Sequence, residues 1–289
     1  MSLTSIMKGG FSKVVVANIP IPKGLFKSSK DCISCPKTKN YSLVGTAFDY
    51  LLRSELKRLH PNAKEDKFIA EESIHQVKLA VDSTGYFQAQ NAKIGAKELN
   101  LMRNIADNFK DKRATFLKSG ILTDDFIETT IKFAKLDVIF RAGIYDDIEK
   151  NVDELDIEDM KALYNLIPEE FKMPSETLLL DPSFGEASRK VEGADVDLII
   201  GHTMIDIKTT KEMKLDGYIW SQIIGYLMLS DHAYEKEGLI PKIEEIGLYF
   251  SRYGYLWKIE ASYVRETPNY DDLKNKLLKI HNSLCITDT

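Results

Sequence analysis

The spacing of apolar positions changes part-way along the chain, and the change marks two kinds of structure. From Leu43 to Leu59 apolar residues recur at Leu43, Ala47, Tyr50, Leu51 and Leu56, close to a 3.6-residue period that stops before His60-Pro61, which predicts a helix. Between about 64 and 166 helical spacing continues through Leu79, Leu99, Met102, Ile105, Phe116, Ile127, Ile131 and Phe140, so this stretch reads as several helices joined by short turns. After Pro174, β-branched residues, glycine and period-two alternation arrive together, and strands are expected at Leu178–Leu180, Ala194–Ile200 and Thr203–Thr209. Lys214–Ser230 returns to a helical pattern, Ile246–Phe250 and Tyr255–Ile259 read as a hairpin, and Tyr270–Leu284 closes as an amphipathic helix. Near the start, Val14-Val15-Val16 reads as a strand, with Ile19-Pro20-Ile21-Pro22 blocking regular pairing beyond it. The strand-strand-helix-strand order predicts an α/β fold. No repeat, long linker or compositional break divides the chain. A single domain over 1–289 is therefore expected, the helical segment 64–166 packing on an α/β core at 176–289.

Composition narrows the class. With 289 residues, 44% hydrophobic and 29% charged, the chain is ordinary globular material, neither collagen-like nor intrinsically disordered. No apolar stretch approaches the ~20 residues of a membrane-spanning helix. The opening Met1-Ser2-Leu3-Thr4 lacks the basic-then-apolar order of a secretory signal, so a cytoplasmic protein with no membrane partner is expected. Lys plus Arg total 39 against 44 Asp plus Glu, a formal charge of −5, so any contact with a polyanion must be local. Three cysteines make no disulfide framework and fit a reducing compartment, with free buried thiols the ordinary outcome. No P-loop, Gly-x-Gly-x-x-Gly after a strand, Gly-x-Ser-x-Gly or His-Glu-x-x-His is present, which leaves nucleotide-dependent, serine-hydrolase and zincin chemistry without an anchor.

The segment richest in chemistry runs from Gly193 to Lys211. If Gly201-His202 is a two-residue hairpin loop, cross-strand partners have numbers summing to a constant that sets Asp197 opposite Asp206 and Asp195 opposite Lys208; a four-residue loop gives the same register. Alternation then places Asp195, Asp197, Asp206 and Lys208 on one face, with Val196, Leu198, Ile200, Ile205 and Ile207 on the other. Facing carboxylates repel, and a divalent cation removes the conflict. Mg²⁺ takes oxygen ligands from one or two carboxylates and completes its shell with water and phosphate. Lys208 supplies a positive group beside the pair, suited to orienting an attacking water and offsetting charge on a phosphorane. The plainer alternative is a set of surface carboxylates on a wet sheet face, with Asp195 and Lys208 an ordinary ion pair. On the following helix, Gln222 and Tyr226 are four apart and share a face toward the sheet.

Asp197, then Asp206-Ile207-Lys208, then Gln222-Ile-Ile-Gly225-Tyr226, ordered across strand, strand and helix, resembles the PD-(D/E)XK nuclease superfamily, and within it the RecB-like exonuclease branch. The resemblance covers about 178–230 well and reaches weakly to Tyr255. It implies a central mixed β-sheet flanked by helices, a restriction-endonuclease-like core. It also implies Mg²⁺ or Mn²⁺ held by Asp197, Asp206 and the backbone carbonyl of Ile207, with Lys208 as the catalytic lysine and Gln222 and Tyr226 positioning substrate or bracing the site. The family's early-helix Gly followed four residues later by His has its counterpart in Gly45 and Asp49. There Asp replaces the imidazole, either as a hard-metal ligand or as a residue solvating a helix face. The activity implied is DNA phosphodiester hydrolysis by an exonuclease. An inactive nuclease-fold subunit that holds DNA or a protein, and a structure-specific endonuclease, are the alternatives.

Other residues enter more weakly. Glu186 is a further candidate acid, and Lys211 and Lys214 extend a basic lip beside Lys208 for phosphate contact. His202 sits in the proposed turn, either leaning toward phosphate or simply solvated. Tyr249, Phe250, Tyr253, Tyr255 and Trp257 offer base-stacking surfaces or sheet core. Cys32, Cys35, His281 and Cys285 have spacing that permits a zinc site joining the two ends of the chain.

Overall fold

A mixed six-stranded sheet separates the apolar residues into two cores, one on each face. The computed structural model describes residues 2–22, 24, 26, 31–145 and 148–284, with backbone alone for 281–284. The chain begins with α1 (Leu3–Ile6), a π-helical turn (Met7–Phe11), α2 (Ser12–Asn18) and α3 (Tyr41–Leu59). Strand β1 (Lys64–Glu65) and helix α4 (Ile69–Thr84) lead to the small hairpin β2 (Phe87–Gln88) and β3 (Lys93–Ile94). Then come α5 (Ala96–Ser119), α6 (Asp124–Ala134), α7 (Asp137–Ala142), α8 (Glu154–Tyr164) and α9 (Glu169–Lys172). The second half holds β4 (Leu178–Leu180), α10 (Glu186–Lys190), β5 (Leu198–Ile200), β6 (Thr203–Lys208), α11 (Gly217–Glu237), β7 (Glu245–Phe250), β8 (Tyr255–Glu260), α12 (Ser262–Arg265) and α13 (Tyr270–Leu284). The result is α/β, as the element order predicts.

Strand order is β1-β4-β5-β6-β7-β8, with β1–β4 and β6–β7 parallel and the other neighbours antiparallel. Alternation sorts the side chains. Leu178, Leu180, Leu198, Ile205 and Tyr249 face the core made with the helices between α3 and α9, whereas Leu179, Ile199, Met204, Leu248 and Phe250 face α11 and the terminal helices. Packed between the sheet and α1, α2, α10 and α13, α11 is buried nearly all round, from Ile219 to Ala233. Its start is set by Asp216, whose side chain accepts the Ile219 N–H at 3.0 Å, and its end by Gly238 in the left-handed region.

Several expectations need correction. Val14-Val15-Val16 lies in α2, not a strand: Val15 is fully buried, the helix packs on α11, and Trp220 Nε1 donates to the Ile19 carbonyl at 2.9 Å. Tertiary packing here overrides the β-propensity of three valines. The stretch 64–166 is not purely helical, because Lys64–Glu65 adds an edge strand to the main sheet and Phe87–Ile94 contains a two-stranded hairpin. Leu79 and Phe140, read as core-facing, are exposed. The strand expected over Ala194–Ile200 is regular only from Leu198, and Val196 packs in the α11-side core rather than with Leu198. Cys32 and Cys35 are joined as a disulfide across a three-residue step, so they are not free thiols. In the expected zinc site, Cys285 lies outside the described residues, as does the side chain of His281.

Candidate functional site

The observed pairs Leu198–Ile205, Ile199–Met204 and Ile200–Thr203 have the register expected from a turn at Gly201-His202. One step further would set Asp197 across from Asp206, but there the two strands part. The chain preceding β5 stays with the segment after β4: Asp181 N–H donates to the Asp197 carbonyl at 2.9 Å, Val196 N–H to the Pro182 carbonyl at 3.3 Å, and Ser183 bridges Asp195. In the gap so opened a side chain replaces the missing main-chain partner. Asp197 Oδ2 accepts the Ile207 N–H at 2.5 Å. A strand residue turns its N–H and C=O toward the same neighbour, so the Ile207 carbonyl faces this gap as well.

Asp206 and Lys208 follow Met204 on the α11-facing side of β6. Asp206 is buried, and Lys208 Nζ stands 2.5 Å from its Oδ2 and 2.8 Å from Gln222 Oε1. Gln222 Nε2 in turn donates to Tyr226 Oη at 3.1 Å. Helical spacing on α11 thus builds a rigid backing for the lysine, one turn supporting the next. Asp206 Oδ2 meets the ammonium at 2.5 Å, so this buried oxygen is held by Lys208.

At the C-terminal end of β6 a cleft of about 520 Å³ is lined by Asp49, Arg141, Asp197, Ile207, Lys208 and Lys211 among others. Asp49 reaches it from α3, one turn beyond Gly45, which lies beside Thr209. Arg141 comes from the last turn of α7.

Burial, then the charges of Asp206 and Asp49, push the Asp197 carboxyl well above the usual carboxylate range, against the Ile207 N–H bond and Lys208. Burial also raises Asp49, to about 6, with Arg53 opposing. Burial works against the charge of Lys208, but Asp206 and Asp197 outweigh it and hold the ammonium above its ordinary value. Burial and the same two carboxylates raise Tyr226 far above the ordinary phenol, so it stays neutral.

The acidic groups lining the cleft are the Asp49 and Asp197 carboxylates, set beside the cations Arg141, Lys208 and Lys211. Asp197 and Asp206 repel, and no cluster of three or more His, Cys, Asp or Glu side chains around one metal position occurs among the described residues. Two carboxylates and a carbonyl, with water completing the shell, are what Mg²⁺ accepts and what a structural zinc site is not.

Set against known protein families, curated proteins and solved structures, the chain gives no match.

Five sequence candidates, Asp49, Asp197, Ile207, Lys208 and Lys211, line the cleft, with Asp206 directly behind them. Gln222 and Tyr226 do not line it: both are buried and hold Lys208 instead of facing solvent. Asp195 is not Lys208's partner, because the chain before Leu198 has left β6; it lines a second cleft with Asp66 and Asp181. Lys214 is off the cleft, 3.8 Å from both Glu212 and Asp216. Glu186 is on α10, paired with Lys190. His202 occupies the opposite end of β6, its Nδ1 2.8 Å from the Lys242 carbonyl. Tyr249, Phe250, Tyr253 and Trp257 are buried in the cores.

Two residues escaped the sequence reading. Asp181 closes on Arg53 at 2.8 Å and, through its N–H, steers Asp197 away from β6; only the Asp181-Pro182 break at a strand end hinted at it. Arg141 carries no local signal, since only the packing of α7 on α4 brings it to the cleft.

Proposed function

We propose that this chain is a divalent-metal-dependent nuclease that hydrolyses phosphodiester bonds in DNA. The observation that carries the reading is the meeting of Asp197, Asp206 and Lys208 at one end of β6. There two strands separate and a polar cleft opens beside the ion pair of Asp206 with Lys208. The mixed sheet with helices on both faces supports a restriction-endonuclease-like core for that site, and the order of motifs supports the RecB-like branch.

Asp197, Asp206 and the Ile207 carbonyl would hold Mg²⁺ or Mn²⁺, with Asp49 beside them. When bound, the ion supplies Lewis-acid polarisation of a phosphate and makes water acidic enough to attack near neutral pH. Lys208 stays protonated and presents a fixed positive charge where negative charge grows on the phosphate oxygens. Gln222 and Tyr226 keep that charge in place without touching substrate. Lys211 contributes phosphate attraction at the rim.

The direct test is incubation of the purified chain with end-labelled linear and covalently closed circular DNA in Mn²⁺, with EDTA as control. Metal-dependent loss of the linear substrate with the circle intact supports an exonuclease. Cleavage of the circle makes it an endonuclease, and no cleavage of either contradicts the nuclease reading.

A further inference from the structure

We propose that Arg141 is the residue that grips the nucleic-acid backbone in the cleft, holding a phosphate other than the one that reacts. This deepens the nuclease reading and rests on it. The reacting phosphate would meet Lys208, which is already engaged by Asp206 and Gln222 and is not free to reach along a strand. The carboxylates of Asp49 and Asp197 on the same cleft, and a formal charge of −5 overall, oppose entry of a polyanion. Lys211 offsets them from the β6 side, at the rim of the cleft. Arg141 lines the cleft from the helical side, with 63% of its side chain exposed.

Its aim is built from behind. Nε donates to Asp137 Oδ2 at 3.3 Å, and Asp137 is itself 3% exposed. The other oxygen of Asp137 accepts from the Tyr50 hydroxyl, which in turn accepts the Ala70 N–H at 3.1 Å. Residues from α3 and α4 thus orient a buried carboxylate that in turn holds the Arg141 guanidinium at the cleft. An exposed i,i+4 ion pair serving only helix stability needs no buried acid, and such pairs contribute little. Only the Nε edge of the guanidinium is hydrogen-bonded among the described residues, and the remaining planar fork of donors matches a phosphate bidentately.

The test compares wild type, Arg141→Gln and Arg141→Lys. Binding of a fluorescein-labelled single-stranded oligonucleotide is followed by anisotropy over a NaCl series, with Ca²⁺ replacing Mn²⁺ to limit cleavage. The expected result is a roughly tenfold loss of affinity for Arg141→Gln and a log–log salt slope shallower by about 0.7, the signature of one lost phosphate contact on a single strand. Arg141→Lys keeps most of the slope. Calorimetric Mn²⁺ titration of Arg141→Gln matches wild type, and in cleavage assays KM rises while kcat holds. Unchanged affinity and slope in Arg141→Gln, or a wild type that binds no oligonucleotide, overturns the proposal. The nuclease reading fails separately: a wild type that takes up no Mn²⁺ and cleaves nothing sinks it, while a slope change in Arg141→Gln would still support the phosphate contact.

Discussion

Asp197 and Ile207 are joined by a hydrogen bond from the backbone N–H of one to the carboxylate of the other, at the point where β5 and β6 separate. An acid that completes a broken ladder cannot swing away. It stays beside Asp206, and the repulsion between the two persists unless a proton or a cation relieves it. The site's chemistry follows from this fixed proximity.

Lys208→Ala should lower cleavage of labelled linear DNA by about 10²–10³, the scale on which losing one preorganised charge-stabilising group acts. Mn²⁺ affinity should be largely retained, because the carboxylates remain. Undiminished turnover in this variant would remove the lysine from the mechanism.

Gln222 touches Lys208 and Tyr226 but not the cleft. Gln222→Ala should therefore cut kcat by roughly 10- to 100-fold, as supporting partners of a site do, and leave KM near wild type. A rise in KM at constant kcat would mean that Gln222 meets substrate after all.

How much of this was legible in the sequence depends on how local each feature is. The register of β5 on β6 from Leu198–Ile205 to Ile200–Thr203 follows from a short turn and period-two alternation, but the Asp197–Asp206 pair it extrapolates to does not form, and Asp197 reaches β6 through its side chain on the Ile207 N–H instead. The four-residue step from Gln222 to Tyr226 showed a shared face, yet not that the face closes on a lysine rather than on substrate. Asp195 was misplaced because the divergence of the strands depends on main-chain bonds to Asp181 and Pro182, which alternation does not report. Three valines in a row looked like a strand, and contact with α11 made them helix. Arg141 lies on α7, about 56 residues before Asp197, and only tertiary packing unites them.

The raised carboxyl groups make stability and metal affinity depend on pH in opposite senses. Asp49 shifts from 3.8 to about 6 on folding, so between those values the folded chain holds a proton that the unfolded chain has released. Metal-free protein should lose stability as pH rises through that window, with Asp197 adding in the same direction. Mn²⁺ must displace these protons, so its affinity should climb as pH rises past about 6, and the stabilisation it gives should climb with it. Thermal melts at pH 5 and pH 7.5, with and without Mn²⁺, check both signs.

Arg252 and Asp159 form a fully buried pair at 2.8 and 3.0 Å, with Arg252 also donating to the Ser34 carbonyl. Asp159→Ala leaves the guanidinium's charge uncompensated and should cost about 3–5 kcal/mol in urea unfolding. Replacing both residues by apolar ones of similar size, as in Asp159→Leu with Arg252→Met, should recover most of that loss.

The central claim is most directly tested by anomalous scattering from crystals of the wild-type chain soaked in Mn²⁺ at pH 7.5. A peak bounded by the carboxylates of Asp197 and Asp206 and the carbonyl of Ile207, absent from Asp197→Asn crystals, is the predicted result. A clean map with no peak between those oxygens at millimolar Mn²⁺ contradicts the account.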